Sequence, residues 1–190
     1  MKKSLLVSIL VVLIGGFFAS SLVADSNHHR KHDDTLVKFK GGIGVHPVSN
    51  VIFVVGPPLV VTAVNQNIVR GVNPAGQLWV IDKLDATVKT NGDIKVKGKG
   101  LILAGGNNAG RATGQSVFAT LICEAAAPFT ERNTNLTGVP LSADGDFEID
   151  DVLTPLPAGG CASPMLLIRN ASGQTWFAIG ILDLDDHDRH

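Results

Sequence analysis

Three acidic residues at alternate positions, Asp146, Glu148 and Asp150 in "DGDFEIDD" (144–151), are the best-ordered chemical group in the body of this 190-residue chain. Alternate residues of a strand share a face, so a strand here aligns three carboxylates as ligands for a cation such as calcium. It is not an EF-hand loop, because Ile149 stands where that loop requires glycine. The competing reading is a solvated outer face that meets a basic strand such as Lys95–Lys99 across a sheet. The sequence favours that plainer reading.

Histidine supplies the second group. His28, His29 and His32 lie in "SNHHRKHDD" (26–34), and His187 and His190 in "DLDDHDRH" (183–190), mixed with aspartates. Imidazole and carboxylate together suit zinc, nickel or copper. Yet Arg30, Lys31 and Arg189 repel a cation, and neither tail has the apolar residues that would order it. They read as solubilising ends that bind metal weakly. The remaining histidine, His46 in "GVHPVS", precedes a proline at a strand end, and no G-x-S-x-G is present. The sequence therefore disfavours a serine hydrolase, and His46 reads as structural or superficial.

Other chemistry is poorly supported. "AGGNNAGRATGQ" (104–115) shares the composition of a phosphate loop but lacks its Lys-Ser/Thr pair and reads as a long surface loop. Glycoside hydrolysis needs paired carboxylates, commonly beside aromatic platforms. Here there is no tyrosine, and Trp79 and Trp176 sit inside apolar runs that read as core. "NLT" (135–137) and "NAS" (170–172) match glycosylation acceptors by composition alone. No cofactor is implied, and the chain reads as non-enzymatic.

The elements that would position these groups begin after a targeting segment. Met1, Lys2 and Lys3 precede the apolar run 5–18 and the small residues of "ASSLVA" (19–24). That order marks a secretory signal peptide (1–24), cut after Ala24 or, as second choice, between Ser21 and Leu22. Its removal takes two lysines and no acids, leaving 14 Lys and Arg against 17 Asp and Glu, a formal charge of −3. Such a charge offers nothing to nucleic acid. After cleavage no stable membrane insertion is expected. Location is read as periplasmic or secreted. Cys123 and Cys161 are an even pair in the exported part, so one disulfide is expected, closing a 38-residue loop.

Between a polar tail (25–34) and the last tail (185–190), residues 35–184 read as one all-β domain, a single antiparallel sandwich or barrel-like fold. "DIKVKGKG" (93–100) alternates lysines with apolar residues, as a half-buried strand does. Residues 116–125 align Val117, Ala119, Leu121 and Cys123, and 174–184 are apolar on both sides. The run "VIFVVGPPLVVTAV" (51–64) is expected to form two short buried strands around its Gly-Pro-Pro turn.

Two hairpins permit a register prediction. With Thr90-Asn91-Gly92 as a three-residue loop, Val88 faces Ile94, Ala86 faces Val96 and Asp85 faces Lys97. A two-residue loop would instead set Val88 against Lys95. By the same rule the loop Ala143-Asp144-Gly145 sets Leu141 against Phe147 and Val139 against Ile149.

The segment 69–106, with its Gly-Val-x-Pro-x-Gly opening (Gly71–Gly76), its Trp79-Val80-Ile81 strand and its Gly-Leu exit, resembles a recurring stretch of exported bacterial β-domain proteins. The likeness continues through "FATLIC" (118–123), "VPLSADGDFEIDDVL" (139–153), Cys161 and "WFAIGI" (176–181), and spans roughly residues 41–182. That group has no established activity, so the resemblance implies export and a compact β domain and carries no catalytic residue.

Three functions are carried forward, the last of them, a hydrolase using Asp146, Glu148 or Asp150, only as a remote third. The first is an exported, non-enzymatic structural or binding module. The second is a weak divalent-cation-binding protein using the tails or the 144–151 strand. The partner is not specified by any motif.

Overall fold

The structure, a computed structural model, describes residues 34–54 and 60–184. The expected signal peptide, His28, His29, His32, His187 and His190 all lie outside the described residues. Within them all regular structure is strand. In chain order the strands are β1 (Thr35–Gly44), β2 (Val48–Val54), β3 (Val60–Gln66), β4 (Trp79–Val80), β5 (Lys83–Lys89), β6 (Asp93–Lys99), β7 (Ile102–Leu103), β8 (Ser116–Ile122), β9 (Arg132–Asn133), β10 (Val139–Pro140), β11 (Phe147–Val152), β12 (Met165–Asn170) and β13 (Trp176–Leu182).

One antiparallel sheet, in the order β10-β8-β12-β13-β1-β5-β6-β11, curls into a nearly closed barrel. Its two end strands are consecutive in the chain, joined by the turn at 141–146. The seam between them is spanned by β9, which pairs with β8 through Thr120↔Asn133. Asn133 in turn exchanges both backbone hydrogen bonds with Thr154, at 2.9 and 2.8 Å, just beyond β11. Closure of this kind removes most exposed strand edge.

The register between β5 and β6 is the expected one: Val88 faces Ile94, Ala86 faces Val96 and Asp85 faces Lys97. Gly92 has φ 89°, the left-handed conformation that a three-residue hairpin loop demands at that place. Partners across a ladder share a face, so Val88, Ile94, Ala86, Val96 and Ile149 all point inward and are buried. Lys95 and Lys97 point outward.

The second hairpin is half as expected. Its loop is 143–145, closed by Ser142 N–H donating to Asp146 C=O at 3.0 Å, with Gly145 at φ 81°. The ladder then stops. Leu141 N–H donates to Gln115 C=O at 2.9 Å, and β10 pairs with β8 as Val139↔Val117 rather than with β11. The expected Val139–Ile149 pair is therefore corrected. The chain leaves the hairpin to pair with the start of β8, at Ser116 and Val117, while β9 covers Thr120 and Leu121.

A second correction concerns 51–64. Strands β2 and β3 do form, pairing Val51↔Val64 and Ile52↔Ala63, but as a separate two-stranded ribbon. Ile52 and Val64 are 45% and 53% exposed, so the expected burial does not hold at these positions.

The other side of the barrel is thicker than alternation suggested. Every residue of β8 from Val117 to Ile122 is buried. Phe118, Leu167, Arg169 and Trp176 share its outer face by register. The segment after β3 lies over them: Trp176 Nε1 donates to Asn67 C=O at 3.0 Å. Arg70 Nη1 donates to Ile122 C=O at 3.1 Å and to Ser163 C=O at 2.6 Å. Beneath this crossing, Arg169 bonds Glu131 at 2.6 Å and lies 5.2 Å over the Phe118 ring. The expected disulfide joins Cys123 and Cys161 beside it, with Cα atoms 4.5 Å apart, closer than the usual ~5.5–6 Å.

Candidate functional site

The acidic strand is used internally. Asp146, Glu148 and Asp150 are exposed on one face, as alternation requires, but each has a partner. Asp150 Oδ2 accepts from Lys95 Nζ at 2.7 Å and Glu148 lies 3.2 Å from Lys97 Nζ, directly across the β6–β11 ladder. Asp146 Oδ1 accepts from Gly100 N–H at 3.1 Å. The hydrogen bond to Asp150 raises the Lys95 ammonium above its ordinary value. No group of three His, Cys, Asp or Glu among the described residues is placed to hold a metal ion. The lysine row was legible as the counter-strand: Lys95 and Lys97 meet Asp150 and Glu148, two of the three carboxylates. His46 is exposed.

The strongest titratable perturbation is elsewhere. Arg132 Nη2 donates to Glu124 Oε1 at 2.9 Å, and this bond holds the Glu124 carboxyl down to about 2. Glu124 Oε2 also accepts from the backbone N–H of Thr130 and Cys123. Both carboxylate oxygens are therefore consumed in fixing the 123–132 loop, and the pair reads as structural. Asn170, one of the two glycosylation matches, is buried and hydrogen-bonded, which removes it as an acceptor in the folded chain.

The site that geometry does build is one end of the barrel. There the 75–78 turn, the 104–115 loop and the 171–175 turn converge around a hollow of about 340 Å³. Trp79, Phe177 and Leu103 line its apolar part. Trp79 is held by its backbone, which pairs with Leu103 and donates to Val45 C=O at 3.2 Å. Its ring stacks on Phe177 with centroids 4.1 Å apart. Around them stand Gln77, Asn108, Thr113, Gln115 and Thr175, all uncharged. Ligand sites commonly occupy barrel mouths, with apolar lining and a few convergent polar groups.

Two further features mark this end. Thr113 has φ 54° and Gln174 φ 53°, a conformation that is a genuine outlier for a β-branched residue such as Thr113. Strain of this kind concentrates where a binding surface must be held in shape. The loop is pinned by Gly110 N–H donating to Leu103 C=O at 2.8 Å and Leu103 N–H to Arg111 C=O at 3.1 Å. Reading 104–115 as a surface loop was right, but its amides and Thr113 were not singled out. The available signal was two adjacent asparagines, a threonine and a glutamine in a glycine-rich loop of a chain whose charges lie elsewhere. Trp79 is core, as expected, with 4% exposure, and it also floors the hollow.

No known protein family matches this chain, and neither a curated protein nor a solved structure is significantly similar to it.

Proposed function

We propose that this chain is an exported, non-enzymatic binding module that takes a small uncharged polar ligand at the barrel mouth. The observation that carries the reading is the composition of that mouth: amide and hydroxyl side chains around a stacked aromatic pair, with no ionisable residue in the lining. A charged ligand would be desolvated there without a counter-charge, which costs several kcal/mol. A ligand with hydroxyl or amide groups finds partners that both donate and accept. The leader-like residues 1–24, the cysteine pair and the resemblance to exported β-domain proteins support export. The absence of a nucleophile–base pair at the mouth supports binding over catalysis.

The test is a thermal-shift and tryptophan-fluorescence titration of the mature chain with neutral mono- and disaccharides, N-acetylated sugars and their charged analogues. An uncharged ligand should raise Tm with concentration, and Asn108→Ala or Thr175→Val should weaken it. Binding untouched by both variants, or confined to charged analogues, would refute the mouth as the site.

A further inference from the structure

A second hollow, of about 460 Å³, adjoins the mouth. Both are lined by Gln115, and the boundary falls between Asn170, which lines the mouth, and Ala171, which lines the second. That boundary is tied by hydrogen bonds. Asn170 Nδ2 donates to Gln115 Oε1, while Asn170 Oδ1 accepts from the Ser172 hydroxyl at 2.7 Å and from Gly173 N–H at 2.6 Å. Ala171 N–H donates to Ser116 C=O at 2.9 Å. The second hollow repeats the chemistry of the first. It presents the hydroxyls of Ser116 and Thr137 beside Leu136, which is 46% exposed, and again has no ionisable lining residue.

We infer that the ligand is a neutral oligosaccharide chain lying across the Gln115–Asn170 ridge, with sugar units in both hollows. This rests on the mouth being the binding site. Two adjoining hollows of like chemistry suit a ligand that repeats one unit. Sugar hydroxyls each donate and accept, as do the hydroxyl and amide groups on both sides of the ridge. The C–H face of a sugar finds apolar contact at Leu136, which is half-exposed beyond the ridge. Nucleic acid and acidic polysaccharide would both demand lysine or arginine in the lining, and neither hollow has any. An extended peptide adding as a strand would demand a free strand edge, whereas β10 already occupies the nearby edge of β8.

The experiment is calorimetry of the mature chain with cello-, xylo-, manno-, malto- and chito-oligosaccharides, from disaccharide to hexasaccharide. For one of these series affinity should rise by at least about tenfold with length, because the second contact is made within one molecule. Leu136→Ser and Thr137→Ala, both at exposed positions, should bring the long-chain affinity down toward that of the disaccharide. Asn108→Ala should weaken both long and short ligands. Saccharide binding that is independent of length but sensitive to Asn108→Ala overturns the chain and leaves the mouth standing. So does a mouth that binds only uncharged non-sugar compounds. Tighter binding of uronic-acid oligomers overturns the neutral class. If nothing uncharged binds, both readings fall.

Discussion

The Trp79 and Phe177 rings lie 15° from parallel with centroids 4.1 Å apart, so a two-residue strand and the central strand β13 share one aromatic floor. Each residue is 4% exposed, so truncating either ring leaves packed volume unfilled. Phe177→Ala should lower stability by about 3–5 kcal/mol. Phe177→Leu should cost less, since it leaves part of the volume filled. Urea unfolding followed by tryptophan fluorescence measures both, and a cost below that of an ordinary surface substitution would show that the floor is not packed as described.

The Cys123–Cys161 bridge closes a loop of 38 residues. On the chain-entropy account such a crosslink contributes about 4 kcal/mol by restricting the unfolded chain. Reduction, or Cys161→Ser, should lower Tm while the far-ultraviolet spectrum stays that of a β protein. Intact mass after alkylation without reduction checks the bond itself: two alkylated thiols would refute it.

Glu124 makes acid sensitivity specific. Its carboxyl is held near 2 in the fold, first by the hydrogen bond from Arg132, against 4.5 when unperturbed. A depressed folded value means that the contribution is complete above about 4.5 and is lost as pH falls toward about 2. The carboxylate is in contact with solvent, so screening leaves the amount at stake at about 1 kcal/mol. Glu124→Gln should be less stable than the parent at neutral pH and should lose less stability between those limits. Parallel pH curves for the two proteins would remove Glu124 as a source of the acid dependence.

Much of the fold was legible where both faces of a strand had different chemistry. In β5 and β6 only one register matches Val88 with Ile94 and Asp85 with Lys97, and that register is found. The same contrast foretold that Glu148 and Asp150 would meet lysines. Legibility failed where non-local demands won. Val139 matches Ile149 well enough locally, but barrel closure takes it to Val117. Apolar Ile52 and Val64 imply burial by composition, yet the ribbon has no sheet to cover it at those positions. The mouth was hardest to see, because Gln77, Asn108, Thr113 and Thr175 come from three separate turns and acquire meaning only when the barrel brings them together.

The two left-handed hairpin glycines differ in what surrounds them. A methyl group at Gly92 would press on the flexible Leu156 side chain, whereas one at Gly145 would collide with the Leu101 backbone, including its carbonyl oxygen. Gly92→Ala should therefore cost about 1 kcal/mol, and Gly145→Ala more than about 2 kcal/mol. Gly92→Val should cost at least about 1 kcal/mol, since a β-branched residue resists that backbone region. Paired chemical denaturation of the two alanine variants decides it; equal costs would mean that the Leu101 contact relaxes without penalty.

Thr113 offers the sharpest separation of binding from folding. Its φ of 54° costs a β-branched residue about 1–3 kcal/mol. Glycine would remove that strain while adding roughly 0.4–1 kcal/mol of unfolded-chain entropy to be lost on folding. Thr113→Gly should thus be more stable than the parent by about 1 kcal/mol. The same change deletes a hydroxyl at the rim of the mouth and loosens the loop that carries Asn108 and Gln115. A strained residue kept for stability would show the opposite pattern, with the glycine variant melting lower. If Thr113 is kept for the site, the variant melts higher and binds its ligand more weakly. Thermal unfolding of the free protein, set beside ligand titration of the same samples, reads both quantities. A variant that melts lower and binds equally well would sever Thr113 from the mouth.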